Sequence, residues 1–74
     1  MNRKKALSDT DREIIRKMAD YNLTMSQVAR DMFMHWNTVV FHCRSIKRIT
    51  GYDPRNFYGE VQLLKLLEEE ESDD

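Results

Sequence analysis

TMSQVARDMFMHWNTVVFHCRSIKRITG, residues 24–51, carries the pattern that decides the fold. Thr24 and Gln27 stand at capping-box spacing, which predicts a helix starting at Met25. Val28, Ala29 and Met32 give that helix one narrow apolar face. Phe33, Met34 and His35 then break the pattern without Gly or Pro, so the turn is tight and Met34 should point inward. Beyond the break, Val39, Cys43, Ile46 and Ile49 recur at helical spacing as far as Gly51, a residue suited to a left-handed helix end. A helix of about two turns, a turn of about three residues and a longer helix is the pattern of a helix-turn-helix. Ala29, placed where the two helices cross, allows their close approach.

The longer helix is more informative in what it leaves outside. At about 100° per residue, Val39, Cys43, Ile46, Ile49 and Thr50 share one stripe. The opposite side collects Asn37, Val40, Phe41, Arg44 and Arg48, with Lys47 at its edge. An amide near the N-terminus followed by cations suits a helix that reads the major groove, the amide pairing with a base edge and the cations with guanine or phosphate. A solvated helix also carries charge outward. Val40 and Phe41 argue for a partner, because adjacent large apolar residues on an outward face gain from being covered. Trp36 falls on the border of the two stripes. It either packs sideways over the core or meets thymine methyls, sugars or a protein.

The run A-x4-M-H-x-N-T-V-x-F-H-x-R-x-I-K-R-I-T-G-Y-D, from Ala29 to Asp53, resembles the C-terminal helix-turn-helix of PucR-type bacterial regulators. Ala29, His35, Asn37, Thr38, Val39, Ile46, Thr50, Gly51 and Asp53 match the family pattern, and Phe41 stands for its aromatic Tyr. The similarity covers roughly residues 21–67. The resemblance implies an all-α, wing-free helix-turn-helix domain of three to four helices that binds double-stranded DNA as a transcriptional regulator. Three departures count: Trp36 and His42 replace arginines, and Cys43 replaces a leucine. Losing two cations from the reading helix weakens base reading and attraction to DNA. No large sensory domain accompanies the module in these residues, so a free-standing bacterial or phage reader is expected. The expected DNA contacts are Asn37 and Arg44 at bases, Val40 and Phe41 at thymine methyls, and Lys47 and Arg48 at phosphates. Trp36 joins them, as do His35 and Thr38 from the matching run. Thr24, Ser26 and Gln27 offer a phosphate a place at the start of the shorter helix, unless Thr24 and Gln27 serve only as caps.

Seventy-four residues allow one small domain. A core of that size buries only about 60% of the unfolded surface, so dimerisation or close helix packing would help. Two glycines and one proline leave little room for hairpins and argue for helices. A single cysteine points to a reducing compartment, and no apolar run approaches a membrane span, so a cytoplasmic location is expected. The formal charge of −1 hides an asymmetry. Residues 1–65 set twelve Lys and Arg against seven acids, a net of +5, whereas residues 66–74 hold six acids and no cation. A basic domain with an acidic tail attracts polyanions in spite of its pI.

Three segments follow: a flexible basic N-terminus over 1–7, the domain over 8–67 and an acidic disordered tail over 68–74. Arg3, Lys4 and Lys5 either solubilise the start of the chain or reach a phosphate or minor groove. A first helix is predicted over 8–21, capped by Ser8 or Thr10, with Ile14, Ile15, Met18 and Tyr21 on one face. A final helix is predicted over 56–70 with a wide apolar arc of Phe57, Val61, Leu63, Leu64 and Leu67, Leu66 falling outside it. Such a broad stripe either packs wholly within the chain or leaves area for a homodimer. His35 and His42 are seven positions apart, about 10 Å along a helix, which is too far to share one zinc. Metal-ligand spacings, Gly-rich phosphate loops and nucleophile motifs are all missing, so neither metal, cofactor nor catalysis is expected. The rival to DNA binding is a protein-interaction module that keeps the fold and grips a partner through Trp36, Val40 and Phe41.

Overall fold

The computed structural model describes residues 7–71, and among them the chain is all-α. It runs α1 (Asp9–Asp20), α2 (Met25–Asp31), α3 (Trp36–Thr50) and α4 (Phe57–Glu71). The basic stretch with Arg3, Lys4 and Lys5, like residues 72–74 of the acidic tail, lies outside the described residues. No helix among the described residues is long and apolar enough to cross a membrane.

Ser8 starts α1. Its hydroxyl accepts from the Asp11 N–H at 3.0 Å, and the Asp11 carboxylate accepts from the Ser8 N–H at 3.1 Å, closing a capping box. The second oxygen of the same carboxylate meets the His42 ring of α3 at 2.8 Å, so one buried acid both caps α1 and ties it to α3. Ile14, Ile15 and Met18 are fully buried, and α1 packs against all three other helices. Leu7, assigned by the sequence to the flexible N-terminus, is instead buried in this core.

Asn22 and Leu23 turn the chain with φ of 54° and 64°. A side chain in the left-handed region costs about 1–2 kcal/mol, which burial of Leu23 against the core offsets. The next helix starts at Met25 as expected, but the Thr24 side chain makes no capping hydrogen bond. Val28 and Ala29 are buried, and α2 packs closely on α3. The turn closes when the Met34 N–H donates to the Ala29 carbonyl at 2.8 Å, with Phe33 at φ 56° and Met34 directed to the core.

α3 begins with a cap that residue type did not announce. His35 Nδ1 accepts from the Asn37 N–H at 3.0 Å. The helix buries Val39, Cys43 and Ile46 completely and ends at Gly51, whose φ of 87° places it in the left-handed region. Burial pushes the Cys43 thiol up to about 12, so it is a neutral core residue.

The link to α4 fixes that helix's rotation. Asn56 Oδ1 accepts from the Gly59 N–H at 2.7 Å, and Gly59 presses against the Asp53 backbone so closely that a Cβ there would collide with it. This contact turns Glu60, Leu63 and Leu67 inward onto α1. The sequence-based arc is corrected accordingly: Phe57 is 75% exposed, whereas Leu66 packs against the core. Hydropathy misplaces the face because two of the residues at its centre are a glycine and a glutamate. The acidic run is helical as far as Glu71 instead of wholly frayed, and Glu70 pairs with Arg12 of α1 at 3.1 Å.

Glu60 is 3% exposed, and neither carboxylate oxygen has a hydrogen-bond partner among the described residues. It lines a hollow of about 160 Å³ with Met18, Leu23, Val61 and Leu64. Burial pushes its carboxyl up to about 8 from an ordinary 4.5.

Two outcomes follow from the α4 interface. Gly59→Ala should cost about 1–3 kcal/mol through overpacking, read as a fall in thermal midpoint, and an unchanged midpoint would show the Asp53 approach to be slack. Between the two Glu60 values the folded state binds more protons than the unfolded one. Stability should therefore fall as pH rises from about 4.5 to about 8, by at most about 1.4 kcal/mol per pH unit, and level off above. Chemical denaturation across this range should show the slope in the native chain and its loss in Glu60→Gln.

Candidate nucleic-acid interface

With Val39, Cys43 and Ile46 turned inward, geometry forces the rest of α3 outward. Trp36 is 47% exposed and Phe41 62%, Val40 is half-buried, and Asn37, Thr38, Arg44, Lys47 and Arg48 are exposed. Beside this ridge lies a hollow of about 390 Å³. Its α3 wall consists of Trp36, Asn37, Val40, Phe41 and Arg44. Met25 from the start of α2 and Arg55 from the link after α3 complete it.

The residues expected at DNA divide into those gathered at this hollow and those set apart. Trp36, Asn37, Val40, Phe41 and Arg44 line it together, so Trp36 belongs to the outer surface more than to the core. Lys47 and Arg48 continue the exposed ridge beyond it. His35 is exposed, but its ring is turned back on the first turn of α3 as the cap. Thr24 and Ser26 are exposed without lining the hollow. Gln27 faces a different depression of about 300 Å³, together with Tyr21, Arg30, Asp31 and Phe33.

Charge is distributed unevenly over the face. Arg44 and Arg48 form no hydrogen bond or ion pair among the described residues, so their guanidinium groups are available to a partner. Lys47 acts on Asp53 from a distance and helps lower its carboxyl. The main cause of that lowering is Arg55, whose guanidinium donates to both Asp53 oxygens at 2.9 Å. His42 faces α1 and pairs with Asp11 instead of joining the outward side chains of α3. Its ring also meets Phe41 edge-on, with centroids 5.7 Å apart and planes at 79°. The aromatic next to it is thereby braced.

Sequence reasoning missed two residues of this hollow, and the exposure of a third side chain outside it. Arg55 reaches the hollow from a separate segment, which helical periodicity cannot reveal. Met25 contributes its side chain from the opposite helix. Phe33 is 95% exposed at a positive φ, a costly placement that only the turn geometry discloses. Among the described residues no three His, Cys, Asp or Glu side chains are grouped to hold a metal ion. The hollow brings the amide of Asn37 and the guanidinium groups of Arg44 and Arg55 together with the apolar side chains of Met25, Val40 and Phe41.

Comparison with protein-family models, curated proteins and solved structures finds no match to this chain.

Proposed function

We propose that α2, its turn and α3 form a helix-turn-helix that binds double-stranded DNA, with α3 in the major groove, and that the protein acts as a PucR-like transcriptional regulator. The observation that carries this reading is the outward face of α3, where Asn37, Arg44 and Arg48 stand exposed beside apolar Val40 and Phe41. Asn37 and Arg44 contact base edges, Val40 and Phe41 meet thymine methyls, and Lys47 and Arg48 hold phosphates. Trp36 and Thr38 extend the contact at the N-terminal end of α3, while Thr24 and Ser26 lie exposed at the start of α2 for a flanking phosphate. The protein acts in the cytoplasm as a binding module with no cofactor. A homodimer would use the outward side of α4, where Phe57 and Tyr58 are exposed and Val61 and Leu64 half-buried.

The exposed Trp36 and Phe41 also favour a second reading, a module that grips a protein through them and Val40. Salt separates the two. Titration of labelled genomic duplexes should show affinity falling steeply as salt rises if phosphates are neutralised. Arg44→Ala should then weaken binding to the best duplex by about 1–3 kcal/mol. Salt-independent capture of a protein without duplex binding would favour the second reading, and an unchanged midpoint for Arg44→Ala would remove Arg44 from the contact.

A further inference from the structure

We propose that Arg55 is a phosphate-binding residue of the α3 face, oriented by Asp53, and that the hollow beside α3 seats the sugar–phosphate backbone of one strand. The inference rests on the DNA reading above and adds a contact that α3 itself does not contain.

Arg55 lines the same hollow as Asn37 and Arg44, although it belongs to the link before α4. Its side chain is 30% exposed and is held in a fixed plane. Nε donates to Asp53 Oδ1 and Nη2 to Oδ2, both at 2.9 Å, while Oδ1 also accepts from the Arg55 backbone N–H at 2.9 Å. This leaves Nη1 without a partner among the described residues. A free arginine loses considerable rotamer freedom on gripping a phosphate, and holding it beforehand reduces that loss. Asp53 cancels much of the local charge, so the contact depends on the direction of the donors more than on the field around them. Buried Pro54, between the two residues, anchors the segment to the domain.

The rest of the hollow matches a strand. A nucleic-acid backbone alternates anionic phosphates with apolar sugar edges. Arg55 supplies a cation for a phosphate, and half-buried Met25, which lines the same hollow, supplies an apolar surface for a sugar edge. A duplex whose major groove lies over Asn37 carries its strands past either side of α3, and Arg55 enters the hollow from one such side, the link after α3.

The test is anisotropy of a labelled mixed-sequence duplex titrated with the full chain at salt concentrations from about 50 to about 200 mM. Wild type is compared with Arg55→Ala, Arg55→Lys and Asp53→Asn, and with Lys65→Ala, which removes an exposed cation from α4 outside the hollow. Losing one phosphate contact should reduce the salt slope by about one, so Arg55→Ala should lose roughly threefold less affinity than wild type over that salt range. Lys65→Ala should leave the slope unchanged, and Arg55→Lys should fall between Arg55→Ala and wild type. Asp53→Asn should bind no tighter than wild type although it removes a negative charge. Circular dichroism melts verify folding. Should Arg55→Ala not fold, Arg55→Lys and Asp53→Asn decide the matter. A slope for Arg55→Ala equal to that of wild type, or tighter binding by Asp53→Asn, overturns the role of Arg55 while leaving the DNA reading intact. Failure of wild type to bind the duplex at low salt overturns both.

Discussion

Burial of Ile14, Ile15 and Met18 on α1 is the constraint on which the other helices depend. The α2–turn–α3 unit packs on α1, and so does α4. In a chain of 74 residues no second core can take over that role. The helices therefore share one apolar surface, and whatever fixes the rotation of each against α1 also fixes what it shows to the outside. For α3 that dependence makes the candidate interface: turning Val39, Cys43 and Ile46 inward leaves Asn37, Arg44 and Arg48 outward.

Polar contacts then select one arrangement among those that burial alone would permit. Asp11 is nearly inaccessible, yet it is shared between the capping box of α1 and the ring of His42 on α3. A buried carboxylate with partners on two helices sets their register, because losing either partner leaves polar atoms uncompensated. Lys17 performs a looser version at the surface, meeting Asp31 of α2 at 2.7 Å. Glu60 is the counterexample: it takes a central place in the α1–α4 contact with no hydrogen-bond partner among the described residues, and burial holds its carboxyl largely neutral near pH 7. Uniform optimisation of the core would not leave an acid there.

The outer surface also retains features that cost stability. Phe33 sits wholly exposed in the turn with a positive φ, and Phe41 and Trp36 leave apolar area open beside the hollow. His42 pairs inward with Asp11, so its ring does not join the outward face of α3. Arg55 brings a guanidinium paired with Asp53 to the same surface from outside the helix. The donors of the candidate site are thus assembled from two segments, one read by periodicity and one brought in by the link.

Local chemistry made much of this legible. Ser8 before an amphipathic run, Gly51 after one and the uninterrupted stripe from Val39 to Ile46 are short-range signals, and the helix limits and the faces of α1 and α3 follow from them. The side chains of Asn37, Val40, Phe41 and Arg44 were recognisable as a set because they share one helix. The rotation of α4 was not legible, since it depends on a backbone approach between Gly59 and Asp53 that no hydropathy pattern encodes. The His35 cap, the Asp11–His42 pair and the arrival of Arg55 at the hollow likewise required the tertiary structure. Amphipathic period and capping residues determine where the helices form and which sides α1 and α3 bury. Contacts between distant or irregular segments depend on how those helices are set against one another, and only the folded chain decides that.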